Sequence, residues 1–257
     1  FDNYESMNSL SLALGAVYFA FQIYGDFSGY SDIALGTSKL FGIDLLKNFN
    51  YPYFSRDIAE FWRRWHISLS SWFRDYLYIP LGGSQGGMWM KVRNTFIIFL
   101  VSGFWHGANW TFIIWGLLNA IYFLPLLLQN KNRSNMGDIK MGWDFNSIKT
   151  ISTILGTFAL TTVAWIFFRA KSISEAVGYI QKIVTDFHFD SQYLSNERYN
   201  FELVLLVLVF VFVEWFNRSK VEPLSGKASW VKVTLAIMAL LALGVYSDYK
   251  EFIYFQF

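Results

Sequence analysis

SGFWHGANW, residues 102–110, places a histidine inside one of the most apolar parts of the chain. An ionisable side chain is costly to keep in hydrocarbon, and it persists where it faces a cavity, a partner or a substrate. His106 is therefore the first residue whose position needs a functional explanation. The structural alternative is a core histidine among aromatic side chains whose hydrogen bonds are satisfied.

The composition around this motif is that of a membrane protein. Of the 257 residues, 54% are hydrophobic, 21% aromatic and 16% charged, whereas soluble domains carry about 25% charged residues. The net charge of +2 is too small to argue for a nucleic-acid partner. The absence of cysteine excludes disulfides, thiolate metal ligands and a thiol nucleophile.

Six apolar stretches are long enough to enter or cross a bilayer, since a full helical crossing takes about 20 residues. None of them alternates like a strand, and outside a closed barrel only helices satisfy their backbone in lipid. We therefore predict an all-α, multi-pass integral membrane protein. The six stretches are residues 9–24, 94–106, 109–128, 151–168, 201–216 and 230–246.

The polar connections predict the orientation. Basic residues exceed acidic ones in residues 129–149 and 217–232, and Lys91 and Arg93 precede the second apolar stretch. The positive-inside rule assigns all three regions to the cytoplasm. Residues 170–200 carry more acidic than basic residues and are predicted to lie outside.

His106 ends the second apolar stretch. A helix over residues 94–106 is about 20 Å long, shorter than the hydrocarbon core of about 30 Å. If it starts beside the basic pair, its tip lies inside the membrane. Gly107 permits a tight turn there, and Asn109 can cap the next helix. A polar turn at this depth must be buried in protein or line a watery cavity, so we predict a cavity at His106.

FWRRWHISLSSWFRDYLYIPLGG, residues 61–83, is the second block that combines aromatic and charged side chains. Ser55 is a predicted N-cap before it, and Glu60 and Arg64 are four residues apart in the favourable order. The block carries too many charges for a simple span. We predict one amphipathic helix that lies at the membrane interface or dips into it, with an aromatic stripe at helical spacing.

The charges of this block have two interpretations. Arginines near a membrane more often bind lipid phosphates or pair with acids than take part in chemistry. His66 can equally be a core histidine among its aromatic neighbours. No His/Glu spacing in the chain suits a zinc site, so we expect no metal.

At these two blocks the sequence resembles the membrane-bound O-acyltransferase family, and in particular the bacterial branch that acetylates alginate and related polysaccharides. The D-alanine transferases of teichoic acids are more distant members. The long WRRWH block together with the WHG motif is highly specific. The matching stretches are residues 24–36, 48–83, 102–120, 161–170 and 251–257.

The resemblance implies a helical bundle with short re-entrant or interfacial helices around a buried histidine. Family members begin with further transmembrane helices before the stretch that matches residues 24–36. The chain is therefore expected to be the C-terminal part of a longer protein, with residues 1–257 forming a single membrane domain.

The resemblance also implies the site. The histidine of the WHG motif, His106, is the catalytic one in the family, and that of the WRRWH motif, His66, is the second active-site position. Burial favours the neutral imidazole, which can accept a proton. Nearby side chains are candidate substrate contacts: Trp105, Asn109, Arg63, Arg64, Arg74 and Asp75.

The implied function is transfer of an acyl group, in the first instance acetyl, from acyl-CoA toward hydroxyls of an alginate-like cell-surface polysaccharide. The expected setting is the bacterial inner membrane, with no bound cofactor and with an extracytoplasmic partner protein that completes the transfer. Peptidoglycan and teichoic acid are alternative acceptors. The non-enzyme alternatives are a haem-binding membrane protein, with His66 and His106 as paired ligands, and a transporter.

Overall fold

Every regular element in the part of the chain that the structure describes is helical, which confirms the predicted all-α class. A computed structural model describes residues 1, 3–139, 145–187, 198–220, 224, 226 and 228–244. The helices are α1 (Ser9–Leu40), α2 (Ile58–Arg64), α3 (Ile67–Phe73), α4 (Gly87–His106), α5 (Trp110–Leu128), α6 (Phe145–Arg169), α7 (Ile173–Thr185), α8 (Arg198–Asn217) and α9 (Ser229–Leu243), with a π-helical turn at Arg74–Tyr78 after α3.

Among the described residues, three helices are long and apolar enough to cross a membrane: Ser9–Leu40, Trp110–Leu128 and Asn146–Arg169. Shorter apolar helices cover Leu203–Asn217 and Ser229–Leu243. Each apolar stretch predicted from the sequence thus lies on a helix, although residues 245–246 of the last stretch fall outside the described residues.

Two helices are longer than hydropathy predicted. α1 starts at Ser9, where the Asn8 side chain accepts a hydrogen bond from the Ser11 amide at 2.8 Å, and continues well past Tyr24 to Leu40. α4 starts at Gly87 rather than residue 94 and spans 20 residues, about 30 Å. The predicted half-length helix before His106 is therefore wrong. Polar residues at these helix ends lower the hydropathy, but neither extension contains a proline to break the helix.

α4 and α5 form a close antiparallel hairpin. A Cβ atom on Gly103 of α4 would lie within 3.0 Å of the Phe112 carbonyl oxygen on α5, and one on Gly116 of α5 would lie equally close to the Phe99 carbonyl oxygen on α4. Glycine at both crossing points allows the two backbones to touch, as small residues do between helices in membranes. The end of α4 is therefore fixed against α5.

The block at residues 61–83 is not the single amphipathic helix predicted. Asp57, not Ser55, caps α2 through a 2.7 Å hydrogen bond from the Glu60 amide. The helix stops at Arg64, and His66 takes a left-handed backbone conformation with φ 43°. The aromatic residues therefore do not form one continuous stripe, because Trp65 is buried while Trp72 and Tyr76 are exposed. The predicted Glu60–Arg64 pair is present at 2.7 Å.

An aromatic core joins α2, α5 and α6. The rings of Trp65 and Trp165 lie 5.0 Å apart, those of Trp115 and Phe168 lie 5.3 Å apart, and those of Trp62 and Trp115 lie 5.7 Å apart. Offset and edge contacts between large aromatic rings are favourable beyond the area that they bury. This core forms one wall of the cavity that His66 and His106 line.

Candidate functional site

The two histidines of the sequence motifs line one cavity of about 270 Å³. The cavity lies between the α4–α5 hairpin on one side and α2, α3 and the π-helical turn on the other, with two α6 aromatics completing it. Most of the wall is aromatic or aliphatic. The polar lining residues are His66, Ser70, Arg74, Tyr78, Ser84, Thr95, Ser102, His106, Asn132 and Arg133.

His106 lies at the last residue of α4, within an aromatic cage. Its ring centre is 5.0 Å from Phe168, 5.2 Å from Trp115 and 5.0 Å from Trp105. The side chain is half-buried. The predicted turn follows it: a Cβ on Gly107 would lie 2.7 Å from the Phe112 ring. The half-buried imidazole has an apolar wall on several sides and the cavity on another.

The turn after His106 is anchored on both sides. Asn109 caps α5 as predicted, and its Oδ1 accepts a hydrogen bond from the Thr111 amide at 3.1 Å. Its Nδ2 donates to the Lys171 carbonyl at 2.9 Å, which ties the turn to the end of α6. These contacts explain Asn109 as a residue that holds the histidine turn in place.

His66 is placed by the break between α2 and α3. It occupies the N-cap position of α3, and its ring packs edge-on against Phe27 at 4.6 Å. Asn48 stabilises the break. Its carbonyl accepts a hydrogen bond from the Ile67 amide at 3.0 Å, and its Oδ1 accepts one from the Ser68 amide at 3.1 Å. The side chain of His66 thereby reaches the cavity that His106 also lines.

The cavity is elongated and has chemically different ends. α4 lines it from Thr95 to His106, which are eleven residues apart, or about 16 Å of helix. Trp115, beside His106, and Leu127, at the end of α5, also lie on the wall. One end therefore holds the histidines and the aromatic core, and the other end holds Arg74, Tyr78, Ser84, Asn132 and Arg133.

Of the six candidate substrate contacts, only Arg74 lines the cavity. Its guanidinium donates to Asp75 at 2.7 and 3.0 Å, and this hydrogen-bonded partner holds the pKa of the Asp75 carboxyl below its usual range. Asp75 itself is exposed and is not among the lining residues. Trp105 is 54% exposed and contacts the His106 ring from outside the lining.

The arginines of the WRRWH motif make structural contacts outside the cavity lining. Arg63 donates to the carbonyls of Asn132 at 2.7 Å and Asn135 at 3.0 Å. Arg64 pairs with Glu60, and also donates to the Asn50 carbonyl at 3.2 Å. A role of either residue in substrate binding stays a prediction. The contacts assign Arg63 to holding the loop after α5 and Arg64 to holding the irregular stretch before α2.

Apart from Arg74, the polar residues at the far end of the cavity were not predicted from the sequence. Asn132 and Arg133 follow α5 in a basic connection where nothing in the sequence distinguishes Arg133 from Lys131. Their place at the cavity depends on a contact between distant parts of the chain, in which Arg63 donates a hydrogen bond to the Asn132 carbonyl. Within the described part of the chain, no group of three or more His, Asp and Glu side chains is arranged to hold a metal ion.

The sequence also matches known proteins. The model of the membrane-bound O-acyltransferase family matches residues 6–161. A peptidoglycan O-acetyltransferase of Helicobacter pylori is 34% identical over 279 residues, which cover 100% of this chain and 51% of that protein. A probable alginate O-acetylase AlgI of Pseudomonas putida is 34% identical over 273 residues, covering 95% of this chain and 53% of the relative.

A teichoic acid D-alanyltransferase of Streptococcus thermophilus is 43% identical over 116 residues, which cover 42% of this chain and 28% of that protein. The chain spans about half the length of the first two relatives, at 51% and 53%. The three names refer to O-acetylation of peptidoglycan, O-acetylation of alginate and D-alanylation of teichoic acid.

Proposed function

Because this chain belongs to the membrane-bound O-acyltransferase family, we propose that it carries the histidine centre of an enzyme that moves an acyl group, acetyl in the first instance, from acyl-CoA toward hydroxyls of a cell-surface polysaccharide. The observation that carries the proposal is the shared cavity: His66 and His106, far apart in sequence, both line it.

The proposed step uses His106 as a general base. Its neutral imidazole takes the proton of the acceptor hydroxyl while the oxygen attacks the thioester carbonyl. The carbon–sulfur bond then breaks, the ester forms, and the thiolate leaves with the proton returned by the imidazolium. A positioned base of this kind contributes about 10²–10⁴-fold to the rate. In a second version the imidazole itself carries the acyl group before passing it on.

His66 is proposed to orient a reacting group or to stabilise charge. Its backbone is fixed by Asn48 and its ring by Phe27, so its side chain is held in one place relative to the cavity. Trp65, Trp115 and Phe168 present an apolar wall to the cavity, and an apolar wall beside the reacting groups limits wasteful hydrolysis of the thioester.

The proposed acceptor is an alginate-like exopolysaccharide in a bacterium, reached across the inner membrane with the help of an extracytoplasmic transfer partner. The name of the Pseudomonas putida relative supports this acceptor. The name of the Helicobacter pylori relative, with an alignment that covers the whole chain, supports peptidoglycan as the second candidate. Acetyl-CoA is the proposed donor, used as a substrate.

The test is thiol release by the purified full-length parent protein, supplied with acetyl-CoA and a polysaccharide acceptor. We expect acceptor-dependent release that falls by at least about 10²-fold in His106→Ala and falls strongly in His66→Ala. His188→Ala is the matched control, because His188 belongs to neither motif. Equal rates in the parent and in His106→Ala would refute the assignment.

The same preparations separate the non-enzyme alternatives. A Soret absorption band that disappears in His66→Ala and His106→Ala would favour the haem-binding protein. Solute movement into proteoliposomes without any thiol release would favour the transporter. We expect neither signal.

A further inference from the structure

The charged side chains of the cavity are segregated to the end away from His106. Arg74 and Arg133 line that end, together with the neutral polar groups of Tyr78, Ser84 and Asn132. Among the described residues, none of the side chains that line the cavity is a carboxylate. A polar pocket with cations and no acid favours an anionic ligand group.

Two independent anchors bring this end together. On the α4 side, the Tyr78 hydroxyl lies 2.8 Å from the Ser84 hydroxyl. The fully buried Asn94 side chain donates to the Gly83 carbonyl at 3.0 Å. The turn that carries Ser84 is therefore fixed to α4 beside Thr95.

On the α5 side, the loop after the helix is held by the WRRWH segment. Arg63 donates to the carbonyls of Asn132 and Asn135, and the Asn135 side chain donates to Asp57 at 2.6 Å. Arg133 lies between these anchored residues. Its backbone is thus restrained, while the described part of the chain offers its guanidinium no hydrogen-bond or ion-pair partner within reach.

We propose that Arg74 and Arg133 form an anion-binding rim that takes the phosphate groups of the acyl donor. The inference rests on the proposed function and names the part of the donor that each end of the cavity holds. Guanidinium groups bind phosphate oxygens through paired, charge-assisted hydrogen bonds. Thr95, which lines the cavity beside the turn that carries Ser84, is eleven residues before His106 on α4, or about 16 Å, so a donor whose thioester and phosphates lie at opposite ends of a long arm fits the layout.

Arg133 is the sharper test position, because Arg74 already has Asp75 as a partner. The experiment compares acetyl-CoA with S-acetylpantetheine, which carries the same thioester and arm without phosphate, on the purified full-length parent in phospholipid-free detergent. We expect Arg133→Ala to raise KM for acetyl-CoA by about 10- to 100-fold with little change in kcat. KM for S-acetylpantetheine should not change, and Arg133→Lys should recover part of the loss.

Lys131→Ala is the matched control, because it removes a positive charge from the same loop at a residue outside the cavity lining. An unchanged KM for acetyl-CoA in Arg133→Ala and Arg74→Ala would overturn the proposal. Equal losses with both thioesters would also overturn it, since they would indicate a structural role.

Two further arms separate the remaining outcomes. If the effect of Arg133→Ala appears only when phosphatidylglycerol is added, the arginine binds a lipid phosphate and the donor rim is refuted. Binding of labelled CoA needs no turnover and is therefore independent of the proposed reaction. Weaker binding by Arg133→Ala supports the rim even where the parent shows no acyl transfer, and equal binding by the parent and the variant refutes it.

Discussion

At the scale of single residues, His66 is held by its backbone as well as by its ring contacts. Its φ of 43° is in the left-handed region, which residues other than glycine adopt uncommonly, although asparagine, aspartate and histidine do so more often than the rest. Strain of this kind persists where the surroundings determine it, and it clusters at functional sites. The hydrogen bonds that Asn48 accepts from the Ile67 and Ser68 amides supply that constraint here.

Two substitutions at His66 separate the effect of its backbone conformation on stability from the role of its imidazole in activity. We expect His66→Gly to be more stable than His66→Ala by about 1 kcal/mol, because glycine adopts the left-handed region without the Cβ clash. Both variants should lose acyl transfer. Thermal unfolding in detergent measures the first difference and thiol release the second. Equal unfolding temperatures would contradict the backbone argument, and full activity of His66→Gly would contradict a role for the imidazole.

The family resemblance pointed to the two histidines, which line one cavity in the structure, but the sequence did not predict what the neighbouring charges do. Arg63, Arg64 and Arg74 look alike in the sequence, yet one binds carbonyls after α5, one pairs with Glu60, and one lines the cavity. The partners of Arg63 lie about seventy positions away along the chain. A single sequence carries no signal for such contacts, and for the same reason Arg133 could not be distinguished from Lys131.

At the scale of elements, Glu60 links the start of α2 to its end. It is 2% exposed and accepts hydrogen bonds from Arg56 and Arg64 at 2.9 and 2.7 Å. Burial raises the pKa of Glu60, but the hydrogen bonds from Arg56 and the positive charge of Arg64 outweigh it, so the pKa lies below its usual value of 4.5. α2 precedes the break at His66, and the pairing of Glu60 with Arg56 and Arg64 fixes the direction of this helix.

The lowered pKa predicts how stability depends on pH. The contribution of Glu60 is fully present above its unfolded pKa near 4.5 and is lost as the pH falls through the lower folded value. We expect Glu60→Gln to destabilise the protein by about 3 kcal/mol at pH 7 and to flatten the decrease of stability in acid. Unfolding temperatures between pH 7 and pH 3 test this.

Asp75→Asn is the control for this series, because the Arg74–Asp75 pair is exposed and pairs of that kind contribute little. Its unfolding temperature should match that of the parent at pH 7. An acid profile of Glu60→Gln parallel to that of the parent would contradict the prediction.

The α4–α5 hairpin depends on glycine at its crossing points. We expect Gly103→Ala or Gly116→Ala to push the helices apart, since the added methyl group would lie within 3.0 Å of a carbonyl oxygen of the facing helix. The expected destabilisation is about 1–3 kcal/mol, with lower activity because His106 ends α4. Gly156→Ala on α6 is the control, because nothing lies within 4 Å of its added Cβ.

The control should be neutral or stabilising, since alanine is the better helix former. A stable, fully active Gly103→Ala variant would show that the position of His106 does not depend on this contact.

At the scale of the whole molecule, hydrophobic patterning predicted the class and the approximate place of each apolar helix. Lipid leaves few alternatives to a helix, so a long apolar stretch determines the structure that it forms. Element ends were predicted less well, because hydropathy reports which residues tolerate lipid and not where a helix stops. α1 and α4 both continue into polar sequence for this reason.

The break at His66 is where sequence reasoning failed on the fold. The aromatic side chains of residues 61–83 recur at helical spacing, and no glycine or proline lies near the break. Local preference therefore favours one continuous helix. The competing interaction comes from Asn48, whose hydrogen bonds replace those of the interrupted helix. This departure from local preference is at the site itself, where such conflicts are expected.

We propose that the acyl group is transferred in the cavity that His106 lines. The most direct measurement is the O-acetyl content of each surface-polysaccharide fraction, in cells that carry the full-length parent with His106 or with His106→Ala at matched protein levels. We expect loss of ester from one fraction in the variant, which would also identify the acceptor polymer. Unchanged ester in every fraction would contradict this role of the cavity.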